Sequence, residues 1–175
     1  IDLTANGLDG CYSSFLAETR SSPETTAVLK DFALGSCEAC QTAVTTTPGN
    51  GTAGAGNAAL TDSDDTDTLV ETSIGTGSVQ VRDRATVGVT GVSTWSGSLD
   101  FYLCKLDGAA DLCDASTTAK TGTKIGSSIA ISQSTTQPIL SDAATITSTG
   151  RYCWRGVFTS ATQGVPSGSD SEINE

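Results

Sequence analysis

Six cysteines are the residues of this 175-residue chain whose chemistry is best defined. Cys104 and Cys113 lie at the ends of a short segment, and a disulfide closing such a loop stabilises a fold by roughly 2 to 3 kcal/mol on the chain-entropy model. We predict this pair first. Cys11 is expected to pair with Cys37 or Cys40, which would clamp an N-terminal region with few apolar residues.

Cys153 has three possible partners. Tyr152 and Trp154 on either side of it are predicted to point inward, so Cys153 points to the other face of its strand. There it would reach the remaining N-terminal cysteine or a neighbouring molecule. A rival pairing joins Cys153 to Cys104, because both are expected on the outer faces of adjacent strands. In each case six cysteines indicate a structural disulfide framework and an oxidising compartment.

The sequence contains no histidine, which limits the catalytic chemistry open to it. Ser-His-Asp and Cys-His nucleophilic arrangements are excluded. The CxxC motif formed by Cys37 and Cys40 has no second CxxC or histidine to complete a zinc site, and no βαβ pattern of a redox domain around it. Paired glycosidase carboxylates remain open, although the acidic residues lie mainly in predicted turns and linkers. We predict no enzymatic activity and no cofactor.

The densest acidic run contains the four aspartates Asp62, Asp64, Asp65 and Asp67. Oxygen ligands at alternating positions are weak candidates for Ca²⁺, but the run lacks the glycine and the terminal glutamate of an EF-hand loop. We therefore favour a solvated acidic linker and predict no metal site. Nearby, Asn50 begins a tripeptide that matches the N-glycosylation acceptor pattern.

Charge and hydropathy narrow the possible partners. The net charge of −11 argues against binding to nucleic acid or anionic membranes, which requires clusters of Lys and Arg. No apolar run has the length of a membrane-spanning helix. The start at Ile1, without Met or a signal-peptide pattern, suggests a processed product or a fragment of a longer protein. We expect a secreted, extracellular or cell-surface location.

Residues 144–158 carry the clearest structural pattern. Ala144 and Ile146 alternate with polar residues, Gly150 interrupts the run, and Tyr152 and Trp154 then fall on one face of an extended segment. The pattern predicts a strand, a turn and a second strand. A tyrosine soon after a turn glycine, opening a strand with a large inward residue, is typical of the tyrosine corner of immunoglobulin-like sandwiches.

Similar alternation elsewhere gives the domain organisation. Phe101 and Leu103 alternate with polar neighbours and are predicted, with Tyr152 and Trp154, to lie in the core. The pattern predicts an all-β fold, an antiparallel Greek-key Ig-like sandwich over residues 68–175. Residues 48–67, rich in Gly, Thr and Asp, are predicted to be a linker. Residues 1–47, with strands expected near 1–3, 14–19 and 27–34, form a partial β-sandwich segment that cannot enclose a core alone.

Three segments resemble parts of long secreted bacterial cell-surface proteins. The sequence at 15–32 is similar to a segment that closes one β-sandwich there, and those at 97–104 and 150–155 are similar to the Ig-like modules that follow it. The acidic end at 169–175 also fits, although such modules usually carry another cysteine just beyond it. The resemblance implies a structural role outside the cell and supplies no catalytic residues.

Two functions follow as hypotheses. The first is a structural subunit of an extracellular filament or surface assembly, in which identical subunits associate head to tail by β-strand complementation. The alternative is an adhesin-type Ig-like module that binds a glycan or a protein. Trp95 lies in a predicted loop and is the one aromatic residue that could serve a carbohydrate ligand, with a position at the rim of the core as the equal alternative. We predict that Trp95 is substantially exposed.

Overall fold

A computed structural model describes residues 11–12, 14–24, 26–36, 40–51, 59–60, 70, 72–108, 111, 113 and 121–170. In this part of the chain the fold is all-β, as predicted, with ten strands and no helix. In chain order the strands are β1 (Ser14–Arg20), β2 (Leu29–Ser36), β3 (Gln41–Asn50), β4 (Val79–Thr90), β5 (Ser96–Leu106), β6 (Thr123–Ser132), β7 (Ile139–Leu140), β8 (Ala144–Ile146), β9 (Arg151–Ser160) and β10 (Gly168–Ser169). None of the described residues forms a helix that would cross a membrane.

Eight of these strands form two antiparallel sheets. In the first sheet β4 is central, with β3 along one edge and the short strands β7 and β8 along the other. The second sheet has the order β10-β9-β5-β6. Strands β1 and β2 form a separate two-stranded sheet, in agreement with the strands predicted near 14–19 and 27–34. The strand expected at residues 1–3 lies outside the described residues.

The core lies between the two larger sheets. Leu99 and Phe158 are fully buried, and Phe101 and Trp154 are almost fully buried. These side chains come from β5 and β9 and pack against those that β4 and β8 supply, including Val81, Ala85 and Ile146. Because inward-facing residues of both sheets form one cluster, the two sheets make a β-sandwich.

The predicted linker begins too early. Residues 45–50 form the second half of β3, which pairs with β4 along its full length from Gln41 to Asn50. The Thr-rich run has high β-propensity, and Pro48 is tolerated because β3 is an edge strand. The outer side of β3 is partly covered there, since Leu60 N donates to Pro48 O at 2.9 Å. Residues 45–50 therefore belong to the sandwich.

Strand β4 is continuous through the charged triplet at 82–84. Asp83 is fully buried and faces the core like Val81 and Ala85. Its backbone N–H donates to Ser141 Oγ at 2.9 Å, and Asp83 O accepts from Ser141 N. The carboxylate Oδ1 accepts from Arg84 N at 2.7 Å. These hydrogen bonds let a charged residue occupy the inner face.

The segment 144–158 contains two strands, but they do not form a hairpin. Strand β8 pairs with β4 in the first sheet, whereas β9 pairs with β5 in the second. The connection is therefore a corner between sheets. Tyr152 OH donates to Ser148 O at 3.0 Å, the backward hydrogen bond that defines a tyrosine corner.

Close strand packing makes Gly97 a sensitive position. A Cβ added there would lie 2.5 Å from Phe158 Cε2 and would also overlap the carbonyl oxygen of Thr159. We expect Gly97→Ala to lower the free energy of unfolding by roughly 1 to 3 kcal/mol because the core is overpacked. Gly88→Ala is the matched control, since no atom lies within 4 Å of a Cβ at that strand position. Equal denaturant midpoints for both variants would contradict this packing.

Candidate interaction surfaces

The hairpin formed by β1 and β2 is held together by its own backbone pairing and by a polar turn. Ser21 N donates to Val28 O, and Val28 N donates to Ser21 Oγ, both at 3.1 Å. Leu16 lies opposite Leu34 in the register. Because opposed residues in an antiparallel pair point to the same face, both leucines lie on one side of the hairpin.

Three apolar side chains of this hairpin are exposed. The exposed fraction is 59% for Leu16, 66% for Val28 and 74% for Leu34. We call these three residues the hairpin surface. The sandwich does not cover them. A cross-strand pair of leucines in water is the kind of exposed apolar feature that marks an interaction site.

A disulfide fixes the base of the hairpin to one end of the sandwich. Cys11 is bonded to Cys40, which directly precedes β3, so the choice left open between Cys37 and Cys40 falls to Cys40. Cys37 lies outside the described residues. The bond packs against two turns, because a Cβ at Gly91 would lie 3.2 Å from Cys40 Sγ and one at Gly164 would lie 3.0 Å from Cys11 Cβ. Those turns follow β4 and β9.

An apolar cleft of about 620 Å³ opens at another point of the sandwich. We call it the end cleft. Its walls are mainly apolar, and polar side chains from the β8–β9 corner contribute the rest. The lining residues used below are Leu60, Val70, Ile74, Val81, Ile146 and Trp154, with Ser148, Thr149, Arg151 and Tyr152.

The hairpin base and the end cleft lie at opposite ends of the sandwich. Strand β4 begins at Val79 in the cleft wall and ends at Thr90, beside Gly91 and the disulfide. At about 3.3 Å per residue its twelve residues span roughly 36 Å. Strand β9 runs in the same sense, from Arg151 at the cleft to Ser160. The two ends of the molecule therefore differ, with exposed leucines at one end and an apolar cleft at the other.

One side of the sandwich is closed and the other is open. At β3 and β10, Thr42 Oγ1 donates to Pro166 O and Thr46 N donates to Asp170 Oδ2, both at 2.6 Å. On the opposite side a more polar gap of about 490 Å³ separates β6 from β8. It adjoins the end cleft, because Leu103, Ile146 and Tyr152 line both. The cleft is therefore accessible along the edge of β8.

A cluster of sulfur atoms is buried on the outer face of the second sheet. Cys104 is bonded to Cys113, the pair predicted first, and Cys153 lies directly across from Cys104 on β9. The rival bond between Cys104 and Cys153 is therefore wrong. Cys153 does lie on the face opposite Trp154, but it is fully buried, because Cys113 and Leu106 pack around it.

Two disulfides engage four of the six cysteines. When the chain is unfolded and alkylated without reductant, we therefore expect at most two cysteines to be modified, and all six after reduction. Mass spectrometry of the two samples measures this difference directly. Six modified cysteines in the unreduced sample would contradict both bonds.

The expectation of an exposed Trp95 is wrong. Only 7% of its surface is exposed, and its ring meets Phe158 edge to face, with centroids 5.5 Å apart and planes at 83°. Trp95 N donates to Gln133 Oε1 at 3.1 Å, which holds the loop against the core. The residues next to Trp95 are polar, and this pattern indicated a loop. The inward orientation of the Trp95 ring depends instead on Phe158 in the distant strand β9.

The other predicted site residues divide into two groups. Phe101 and Trp154 are buried, but Leu103 and Tyr152 are only half-buried, because both line the end cleft. Asn50 ends β3 opposite Val81 and does not lie in a loop. The weak Ca²⁺ candidates Asp62, Asp64, Asp65 and Asp67 lie outside the described residues. Sequence analysis did not identify the cleft, because its walls come from distant segments.

Charged groups on the second sheet are paired with neighbours. Asp100 Oδ1 lies 2.9 Å from Lys124 Nζ. Burial alone would raise the pKa of Asp100, but hydrogen bonds with Ser128 and Lys124 and the charge of Lys124 outweigh it and hold the pKa below 3.8. On the same sheet the Arg155 guanidinium lies 4.7 Å from the Tyr102 ring centroid. These contacts stabilise the sheet and leave the hairpin and the cleft as the surfaces best suited to binding.

No protein-family model, no curated protein and no solved structure matches this chain.

Proposed function

We propose that this protein is a structural subunit of an extracellular filament or surface assembly, joined head to tail with its hairpin as the donated β-structure. The observation that carries the proposal is the placement of Leu16 and Leu34, exposed on a hairpin that a disulfide fixes at the end opposite an apolar cleft. A head-to-tail contact joins unlike ends, so each added subunit leaves a free end for the next one. Unless the rotation between subunits closes a ring, repetition of this contact generates a filament.

The hairpin needs a partner on energetic grounds. A two-stranded sheet is marginally stable in water, and three strands or a packed surface are needed for stability. Among the described strands, β1 and β2 pair only with each other, so each keeps one open edge. Open edges and exposed leucines together favour pairing with another chain. β-Strand complementation by a neighbouring subunit would pair the open strand edges and cover the exposed leucines.

The proposed setting is a secreted Ig-like module. Strands β3, β4 and β8 face a second sheet ordered β10-β9-β5-β6, with a tyrosine corner at Tyr152, and this arrangement supports an Ig-like sandwich. Two disulfides support an oxidising, extracellular location. The resemblance to bacterial surface modules agrees with both. The adhesin alternative, in which loops or exposed aromatic residues bind a ligand, loses its best candidate contact, because Trp95 is buried.

Negative-stain electron microscopy of the purified, oxidised protein tests the proposal. We expect fibres with a regular axial repeat, growing in number as the protein concentration rises. Reduced and alkylated protein is the control, and we expect few fibres from it, because loss of the Cys11–Cys40 bond releases the hairpin base. Dispersed single particles at every concentration of oxidised protein would overturn the proposed assembly.

A further inference from the structure

We infer that the end cleft is the seat for the hairpin of a second copy of this chain, with Leu16 and Leu34 of one subunit entering the cleft of the next. This inference rests on the proposed function and names the acceptor site within it. The cleft volume of about 620 Å³ falls within the range of roughly 300 to 1,000 Å³ typical of binding sites. Its apolar walls suit leucine side chains.

The hairpin of the same chain does not reach this cleft. Its longer strand, β2, has eight residues and spans roughly 23 Å. The cleft lies roughly 36 Å along β4 from the disulfide that fixes the hairpin base. A hairpin held at Cys40 is therefore too short to fill its own cleft, whereas the hairpin of a second copy is not held by that bond.

The cleft has a basic rim that a carboxylate beside the leucines can approach. Arg151 lines the cleft, and Lys105 lies at the same corner, with its Nζ 2.8 Å from Ser148 Oγ. This positive rim stands out in a chain of net charge −11. On the hairpin, Glu18 is exposed and lies two residues from Leu16, on the same face. An apolar centre with an acidic neighbour thus matches an apolar cleft with a basic rim.

The edge beside the cleft also permits strand pairing. Strand β8 pairs with β4 through Ala144–Ile146, and among the described strands no other partner lies on its far side. The gap between β6 and β8 gives access to that edge. A strand of the incoming hairpin can therefore extend the first sheet at β8 while its leucines enter the cleft, as in known β-augmentation complexes.

A photo-crosslinking amino acid at position 34 tests the seat directly. Isotopically light protein carrying the probe is mixed with heavy protein without it, and the crosslinked peptides are identified by mass spectrometry. We expect light-to-heavy crosslinks to the cleft lining, in the segments 72–81 and 146–154. The same probe at Thr86, exposed on the outer face of β4, is the control. If the protein assembles but the crosslinks map elsewhere, the end cleft is not the binding site of the hairpin, and the proposed function is unaffected. If the protein does not assemble, the proposed function itself is overturned.

A substitution in the cleft gives an independent test. Thr149 is exposed and lines the cleft, so Thr149→Trp places a bulky ring there with little effect on folding. We expect it to weaken association by roughly tenfold or more, because the ring excludes the incoming leucines. Thr86→Trp adds the same side chain away from the cleft and should leave association unchanged. Equal association of the two variants overturns the inference.

Discussion

Replacing Trp154 by alanine is expected to lower the free energy of unfolding by about 3 to 5 kcal/mol, the usual cost of deleting a large aromatic side chain from a core. Only 2% of Trp154 is exposed, and the ring packs in the single large cluster between the sheets. The cost includes the cavity that remains, since β5 and β9 are held by continuous pairing and cannot collapse around it. Denaturant unfolding followed by far-UV circular dichroism measures the change.

Thr159→Ala is the matched control on the same strand. Thr159 is exposed, so its truncation should change the free energy of unfolding by no more than about 0.5 kcal/mol. A loss of less than about 1 kcal/mol for Trp154→Ala would contradict the assignment of that residue to the inner face of β9.

The second large effect concerns assembly. The double variant Leu16→Asp/Leu34→Asp places two charges on the hairpin surface, and a charge cannot be buried there without a partner. Burial of each leucine contributes roughly 1.5 to 3 kcal/mol to association, so removal of both should abolish assembly at concentrations where the wild type forms fibres. Stability of the sandwich should not change, because both side chains are more than half exposed.

The matched control for charge is Thr45→Asp/Thr47→Asp. Both threonines are exposed on β3, and the double variant adds the same two negative charges far from the hairpin surface. We expect this control to assemble like the wild type. If both double variants lose assembly equally, general charge repulsion explains the loss, and the hairpin surface is not the contact.

The features that sequence predicted correctly depend on local spacing. Alternation at Phe101 and Leu103 located β5, and the Ala144 and Ile146 pattern located β8. The short separation between Cys104 and Cys113 identified their disulfide, because loop closure favours near neighbours. Each of these inferences needs only residues close together in the chain.

The features that the sequence did not predict depend on residues that are distant in the chain. The Thr-rich run before Asn50 forms a strand because β4 offers a continuous edge, and Trp95 turns inward because Phe158 is there to receive its ring. The exposure of Leu16 and Leu34 likewise depends on where the hairpin lies in the folded chain, which local alternation could not predict. The end cleft likewise needs both sheets, and alternation within one strand cannot reveal it.

Sedimentation velocity of the oxidised protein over a wide concentration range tests the head-to-tail account most directly. For wild type we predict a weight-average sedimentation coefficient that rises continuously with concentration, as expected for open-ended association, while Leu16→Asp/Leu34→Asp stays at the value of a 17.7 kDa monomer. A wild-type protein that sediments as a 17.7 kDa monomer at every concentration would contradict the account.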